Sequence, residues 1–309
     1  MVENKKIKDL DITQNDSIES LFEKMEKMGG FQGRYLAYSA KILEEMIKSK
    51  DTLKIISFPA CIIATGVRGI IKDMIKRKWF DLVITTCGTL DHDIARCFED
   101  YYEGEFNSDD IELHKKDIHR LGNIFIPKKS YGIIIEEKMK KWLPEIYESN
   151  KNISTYEFCW EVGKRLNESS ILYWAEKNKI PVIIPGITDG AVGYHLWEFW
   201  QEKKDFTINI LKDEQLISDL IWNAKKSGAL ILGGGISKHH VIWWNQFKNG
   251  LDYAVYISTA VEWDGSLSGA QTREAISWGK IKEKAKEVNV YCDITVALPF
   301  LFYYLIRKV

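Results

Sequence analysis

The feature that most constrains this chain is the alternation of short apolar runs with longer amphipathic ones. Runs of β character fall at Leu53–Phe58, Asp81–Thr85, Asn123–Ile126, Pro181–Ile184, Phe206–Ile210, Ala229–Leu232, Tyr253–Ser258 and Val288–Cys292. Stretches with helical spacing lie between most of them, among them Val67–Lys78, Asp91–Phe98, Val192–Lys203 and Glu214–Lys226. A strand can join a parallel neighbour only through a long crossover, usually a helix, so this alternation predicts a parallel sheet with helices on both faces. The expected fold class is α/β: a Rossmann-like, doubly wound, mostly parallel sheet with an N-terminal helical extension. Ser17 before Ile18, Leu21, Phe22, Met25 and Met28 marks the helix of that extension, and a second helix is expected over Tyr35–Lys48. Residues 1–30 are read as an arm and 31–309 as a single domain, with the charged stretch Lys138–Asn152 a helix and loop inside it.

Folds of this kind bind ligands at the C-terminal ends of their strands. The unusual residues of this sequence fall there: Thr85-Thr86-Cys87-Gly88, Thr188-Asp189-Gly190, Gly233-Gly234-Gly235 and Ser258-Thr259-Ala260. The glycine run lets a backbone approach a phosphate or a flat ring, but Lys238 stands where a GxGxxG motif needs its third glycine, so by itself the run is a tight turn. Lys238-His239-His240 then opens a helix; one histidine there is a candidate general base. Asp91, His92 and Asp93 have a plain reading as a cap at a helix start. The run Glu262-Trp263-Asp264-Gly265-Ser266-Leu267-Ser268-Gly269-Ala270 leads into Glu274-Ala275-Ile276-Ser277-Trp278-Gly279-Lys280. Carboxylates beside indoles suit a flexible polyamine, pairing with its ammonium groups while the aromatic faces cover its methylenes. A surface loop and a short amphipathic helix would have the same composition.

Charge and cysteine usage exclude several classes. The 43 basic and 44 acidic residues leave a formal net charge of -1, so no basic field for nucleic acid is expected. Five cysteines, Cys61, Cys87, Cys97, Cys159 and Cys292, contain no CxxC pair, which speaks against a disulfide framework or a metal site and for a reducing, cytoplasmic compartment. The start MVENKKIKDLDITQ has no apolar core of the signal-peptide type. The apolar run Ile294–Ile306, interrupted by Pro299, falls short of the roughly 20 residues of a membrane span and is expected to be a buried helix.

The stretch from Asp252-Tyr253-Ala254-Val255-Tyr256-Ile257 through SLSGAQTREAISWGKI closely resembles the signature of the deoxyhypusine synthase family. DLVITTCGTLDHD (Asp81–Asp93), GNIFIP (Gly122–Pro127), PVIIPGITDGAVG (Pro181–Gly193) and ILGGGISKHH (Ile231–His240) resemble further segments of it, in family order. The resemblance covers roughly residues 30–309 and implies a specific activity. The family uses NAD to dehydrogenate spermidine, holds the aminobutyl group on an enzyme lysine as an imine, releases 1,3-diaminopropane, and passes the group to one lysine of a hypusine-bearing translation factor. By resemblance the enzyme lysine is Lys280 and the active-site histidine is His239. Trp278 and Glu274 match spermidine contacts, and Asp264, Gly265, Ser266, Leu267 and Ser268 belong to the substrate loop. NAD contacts carry over to Thr86, Cys87, Asp189, Gly234, Thr259, Ala260, Asp293 and Ile294, with Ala60 and Ala64 in a segment of altered sequence. A homotetramer is implied; a membrane, a metal and direct contact with nucleic acid are not.

Three positions depart from the eukaryotic pattern. Asp91 and His92 match a pair of carboxylates facing the substrate, of which only Asp91 is kept; Tyr194 and Leu267 stand where further carboxylates meet spermidine. A polyamine with amines titrating near 10.4 carries about three charges, so Asp264, Glu262 and Glu274 are left to neutralise it. Two other readings stay open: a homospermidine synthase-like enzyme that passes the group to a diamine, and a non-catalytic NAD- or polyamine-binding paralogue. Lys280 and His239 argue against the second. Glu274 and Trp278, four apart, share a helix face that Lys280 would leave, so a break at Gly279 is expected to bring all three together.

Overall fold

The computed structural model describes residues 5–309. The chain divides into two compact units: one of residues up to Ile56 together with Ile221–Val309, and one of Ser57–Leu220. Both are α/β.

In the first unit the strands lie in the order Ile281–Tyr291, Leu251–Ser258, Lys226–Leu232, Thr52–Ser57. The first three pair in parallel, with Val255 opposite both Val288 and Leu230. Ala229–Leu232 and Ala254, Val255 and Ile257 are fully buried. That is why these strands read as continuous apolar runs: a parallel strand is covered on both faces. The helix Phe31–Lys48 lays Ile42, Leu43 and Met46 into this core; a Cβ on Gly228 would stand 2.6 Å from the Met46 sulfur, so the glycine makes room for that side chain. The helical extension is present as Ile18–Lys27. Ser17 caps it by accepting from the Ser20 N–H, and Phe22 is buried against the ring of Tyr304 at 5.1 Å.

The C-terminal helix Ile294–Lys308 differs from expectation in being buried on one side only. Ala297, Leu298, Leu301 and Leu305 face the core, whereas Val296, Phe300 and Tyr303 are each about half exposed. A helical period of 3.6 puts those three on one stripe, which a continuous apolar run does not reveal.

In the second unit Leu82–Ile84 and Val182–Ile183 pair in parallel. Around them stand the helices Arg68–Lys76, Cys87–Ala95, Gly132–Ser149, Thr155–Gly163, Ile171–Asn178 and Ala191–Glu202. The charged stretch from Lys138 is the second half of Gly132–Ser149, which buries Met139, Trp142, Leu143 and Ile146. Two predicted strands lie in side sheets. Ile124–Pro127 is the middle of a small antiparallel sheet with Tyr102–Glu103 and Ile118–Leu121, and Thr207–Ile208 pairs with Asn152–Ile153. Among the described residues no helix is long and apolar enough to cross a membrane, and no group of three His, Cys, Asp or Glu is placed to hold a metal ion.

Candidate active site

Lys280 is only 8% exposed. The helix Thr272–Ser277 ends just before it, Gly279 takes a left-handed φ of 68°, and the strand Ile281–Tyr291 begins just after it. The expected break is therefore present, and it turns the lysine back into a cavity of about 200 Å³ lined by Lys238, His239, Tyr256, Glu274, Trp278 and Lys280, with Leu267 and Ala270 from the loop. The Lys280 ammonium lies 5.3 Å from the ring centre of Trp278 and 5.9 Å from that of Trp243. His239 stacks on Trp243 with ring centres 5.6 Å apart. Burial, helped by the charge of Lys280, pulls the His239 pKa down, so the imidazole is neutral and can accept a proton. Among the described residues Glu274 is the one carboxylate lining this cavity.

Lys238 and Tyr256, outside the set of site residues expected from the sequence, both line the cavity. Lys238 is 2% exposed, its ammonium donates to the Ala270 carbonyl at 2.6 Å and it lies 4.4 Å from the Tyr256 ring centre. Burial lowers its pKa to about 8. The Tyr256 hydroxyl is buried without a hydrogen-bond partner among the described residues. Buried polar atoms are nearly always paired, so an orphaned hydroxyl on a cavity wall has the character of a ligand contact. The only signal in the sequence was the position of Lys238 one residue before His239.

The loop residues divide. Leu267 and Ala270 reach the cavity, whereas Asp264, Gly265 and Ser266 are exposed, and Asp264 is occupied by a turn in which it accepts from the Ser266 N–H at 2.6 Å. Ser268 packs on Gly234: a Cβ there would stand 2.3 Å from the Ser268 hydroxyl, which itself accepts from the Gly235 N–H at 3.1 Å. The close approach that Gly234 permits is thus made by the protein's own loop. Thr259 is exposed beside Ala260, and Asp293 caps the helix Ile294–Lys308 by accepting from the Thr295 N–H at 2.8 Å.

The remaining site candidates lie in the second unit. Asp91 is the fifth residue of the helix Cys87–Ala95, whose cap position is Thr86, so Asp91 does not cap its own helix. It caps another. Its carboxylate accepts from Ala191 N at 2.9 Å and Val192 N at 2.8 Å, at the start of Ala191–Glu202, and from the Tyr131 hydroxyl at 2.8 Å. Burial raises its pKa and the three donors oppose that. Gly190 allows the approach, since a Cβ would stand 2.7 Å from Asp91 Oδ2 and 2.8 Å from the Cys87 sulfur. His92 is buried, bonded through Nδ1 to the Tyr101 hydroxyl at 2.9 Å, and its pKa falls to about 4 by burial. Asp93 is ion-paired with Arg68 at 2.7 Å and caps the helix Ile171–Asn178 through Ile171 N, Leu172 N and the Ser170 hydroxyl. Ala60 and Ala64 bound a short 3-10 turn, and Asp189 is exposed in the loop after Val182–Ile183. Burial raises the Cys87 thiol pKa, which leaves it a packed neutral group.

Comparison with known proteins gives a consistent result. A family model described as deoxyhypusine synthase matches residues 20–305. A Picrophilus torridus protein named probable deoxyhypusine synthase is 54% identical over 296 residues, covering 96% of this chain and 95% of its own. A protein of the same name from Ignicoccus hospitalis is 48% identical over 309 residues, covering 98% and 96%. The crystal structure of an Entamoeba histolytica protein described as a candidate deoxyhypusine synthase superposes with a TM-score of 0.64 over 97% of this chain and 95% of that one, at 20% identity, a likeness of fold.

Proposed function

This chain belongs to the deoxyhypusine synthase family of enzymes, and from that premise we propose that it moves the aminobutyl group of spermidine through an imine on Lys280 to one lysine of a hypusine-bearing translation factor. The observation that carries the reading is a buried lysine walled by two indoles and facing a neutral imidazole in a cavity with one carboxylate.

The cofactor is NAD, which supplies the hydride acceptor that turns the secondary amine of spermidine into an imine. The residues of the first unit that would hold it are Thr259, Ala260, Asp293 and Ile294. Their chemistry fits: the exposed Thr259 offers a hydroxyl beside the small Ala260, whereas the room at Gly234 is already taken by Ser268.

The chain's own residues do the rest. His239 takes the proton released as the amine becomes an imine. The Lys280 Nζ lone pair adds to the imine carbon; the bond from that carbon to the departing nitrogen breaks, and 1,3-diaminopropane leaves with the proton returned through His239. This leaves the aminobutyl group on Lys280 as a C=N bond. Trp278 and Trp243 flank it with their rings. Attack by the acceptor lysine moves the C=N bond onto its own nitrogen and frees Lys280, and return of the hydride withdrawn from spermidine would reduce that bond to the amine. Glu274, a carboxylate at the exposed side of the cavity, holds an ammonium group of the substrate by a charge-assisted hydrogen bond. Asp91 and His92 stay outside the reading as substrate contacts, the Asp91 carboxylate accepting three hydrogen bonds within the protein and His92 being buried with Nδ1 bonded to Tyr101.

A homotetramer belongs to the same reading, supported by the exposed apolar stripe Val296, Phe300, Tyr303 and by Trp197, Trp200 and Trp243, each more than two-fifths exposed. A translation factor as acceptor puts the enzyme in the cytoplasm. The test is incubation with spermidine and NAD, borohydride reduction, and mass analysis of the Lys280 peptide. The expected result is an aminobutyl adduct on Lys280 and release of the diamine. An unmodified peptide after reduction overturns the reading, and supplying putrescine or the translation factor identifies the acceptor.

A further inference from the structure

The loop after Leu251–Ser258 is held to the helix Gly235–Asn245 at two points. One is the neutral bond from Gly235 N to the Ser268 hydroxyl at 3.1 Å. The other is the Lys238 ammonium on the Ala270 carbonyl at 2.6 Å. A bond with a charged donor is roughly twice as strong as a neutral one, so the second dominates. The loop is folded as a unit between these points and its own turns: Gly265 N bonds Glu262 O at 3.4 Å, Gly269 N bonds Ser266 O at 3.2 Å, and Ala270 N bonds Leu267 O at 3.3 Å. Gly269 is pressed so closely on the Val261 carbonyl that any Cβ would overlap it at 1.8 Å. Leu267 and Ala270 form the loop's wall of the Lys280 cavity.

Burying a lysine this deeply is costly unless the site gains from the charge. The cavity has to admit a polycation while already holding Lys238 and Lys280, which makes a second buried ammonium an expensive choice for packing alone. We propose that Lys238 is a positioning residue whose ammonium latches the loop Gly265–Ala270 over the Lys280 cavity, so that closing the loop holds the polyamine in place. This deepens the reading of the site given above, but the latch itself is a property of the ligand-free chain.

The charges around Lys238 define when it works. Glu274, on the helix Thr272–Ser277, favours the ammonium. Lys280 and His239 share the cavity with it, and Tyr256 lies beneath it, with Glu287 of the strand Ile281–Tyr291 acting on that tyrosine. Burial outweighs Glu274 and brings Lys238 to about 8, so the latch is charged at pH 7 and loses its charge as pH rises past 8.

Hydrogen exchange of the full chain without ligands tests this, read over residues 262–271. Loss of a charge-assisted bond predicts that Lys238→Met raises exchange in this segment by about ten- to a hundredfold, with the sheet strands unchanged, and that Lys238→Arg restores protection. In the wild type, protection corrected for intrinsic rate should fall between pH 7 and 9; in Lys238→Arg it should persist. With spermidine and NAD, Lys238→Met should raise the spermidine KM more than it lowers kcat. Unchanged loop exchange in a folded Lys238→Met overturns the latch. If that variant unfolds, loss of protection with pH in Lys238→Arg parallel to the wild type overturns it as well. If the wild type forms no Lys280 adduct, the reading of the function fails while the exchange result still decides the latch.

Discussion

Two clusters of ionisable groups, one in each unit, differ in what they leave unsatisfied. In the second unit the Asp91 and Asp93 carboxylates accept from the backbone at two helix starts, from Tyr131 and Ser170, and from Arg68. Little acceptor capacity remains for a ligand. In the first unit the Lys280 cavity holds two lysines, a neutral histidine, an orphaned tyrosine hydroxyl and a single carboxylate. That set is short of negative charge and of partners. A buried charge that is fully paired supports a fold, and one left facing open space is available for chemistry.

The sharpest way to break the comparison is Lys280→Arg. Arginine keeps the charge but offers no neutral amine, so transfer should fall by at least about a thousandfold, with the circular dichroism spectrum unchanged. Transfer at a near wild-type rate would remove the cavity from the mechanism. The counterpart in the second unit is Asp93→Asn, which strands a buried Arg68. It should cost about 3–5 kcal/mol of stability in denaturant unfolding. A variant as stable as the wild type would show that the paired cluster is not structural.

A smaller crossed pair separates the two kinds of carboxylate. Glu274→Gln should raise the spermidine KM by about ten- to a hundredfold with little change in melting temperature, as removal of a charged hydrogen bond predicts. Asp91→Asn should do the reverse, losing about 1–3 kcal/mol of stability with KM nearly unchanged. If Asp91→Asn raises KM while its stability holds, the carboxylate meets substrate after all. Tyr194→Phe, at an exposed ring packed on Trp197, should be nearly silent in both assays.

A separate effect is one of pH. The buried His92 has a pKa of about 4, below the 6.5 it has when exposed. Between those values the unfolded chain binds a proton that the folded chain does not, so this residue makes stability fall as pH drops from about 6.5 toward 4. His92→Gln should flatten the melting temperature over that window relative to the wild type; an unaltered slope would mean that His92 is not held neutral.

What could be read from the sequence follows from which interactions are local. The strands Ala229–Leu232 and Tyr253–Ser258 were legible because burial on both faces writes an unbroken apolar run. The break before Lys280 was legible because Gly279 sits between a helical period and a strand, and its φ of 68° is what a glycine supplies without strain. Asp91 was not legible as the cap of Ala191–Glu202, because the helix it serves begins a hundred residues later. Lys238 and Tyr256 were missed as cavity residues for a related reason: nothing local distinguishes a buried lysine from a surface one. The strand Ile124–Pro127 has a clear β pattern, but its antiparallel partners are chosen by tertiary context.

Glu274, Trp278 and Lys280 lie within one stretch of seven residues that a single glycine folds back on itself. The carboxylate, the indole and the amine are therefore inherited, and can be transplanted, as one short peptide. Selection for a new acceptor has little room inside that peptide, where each change disturbs the other two groups. It has more in the facing wall, the helix Gly235–Asn245 and the loop it holds, which come from separate stretches of chain. On the function proposed above, the amine of that peptide meets its acceptor across the cavity from residues that lie elsewhere in the chain.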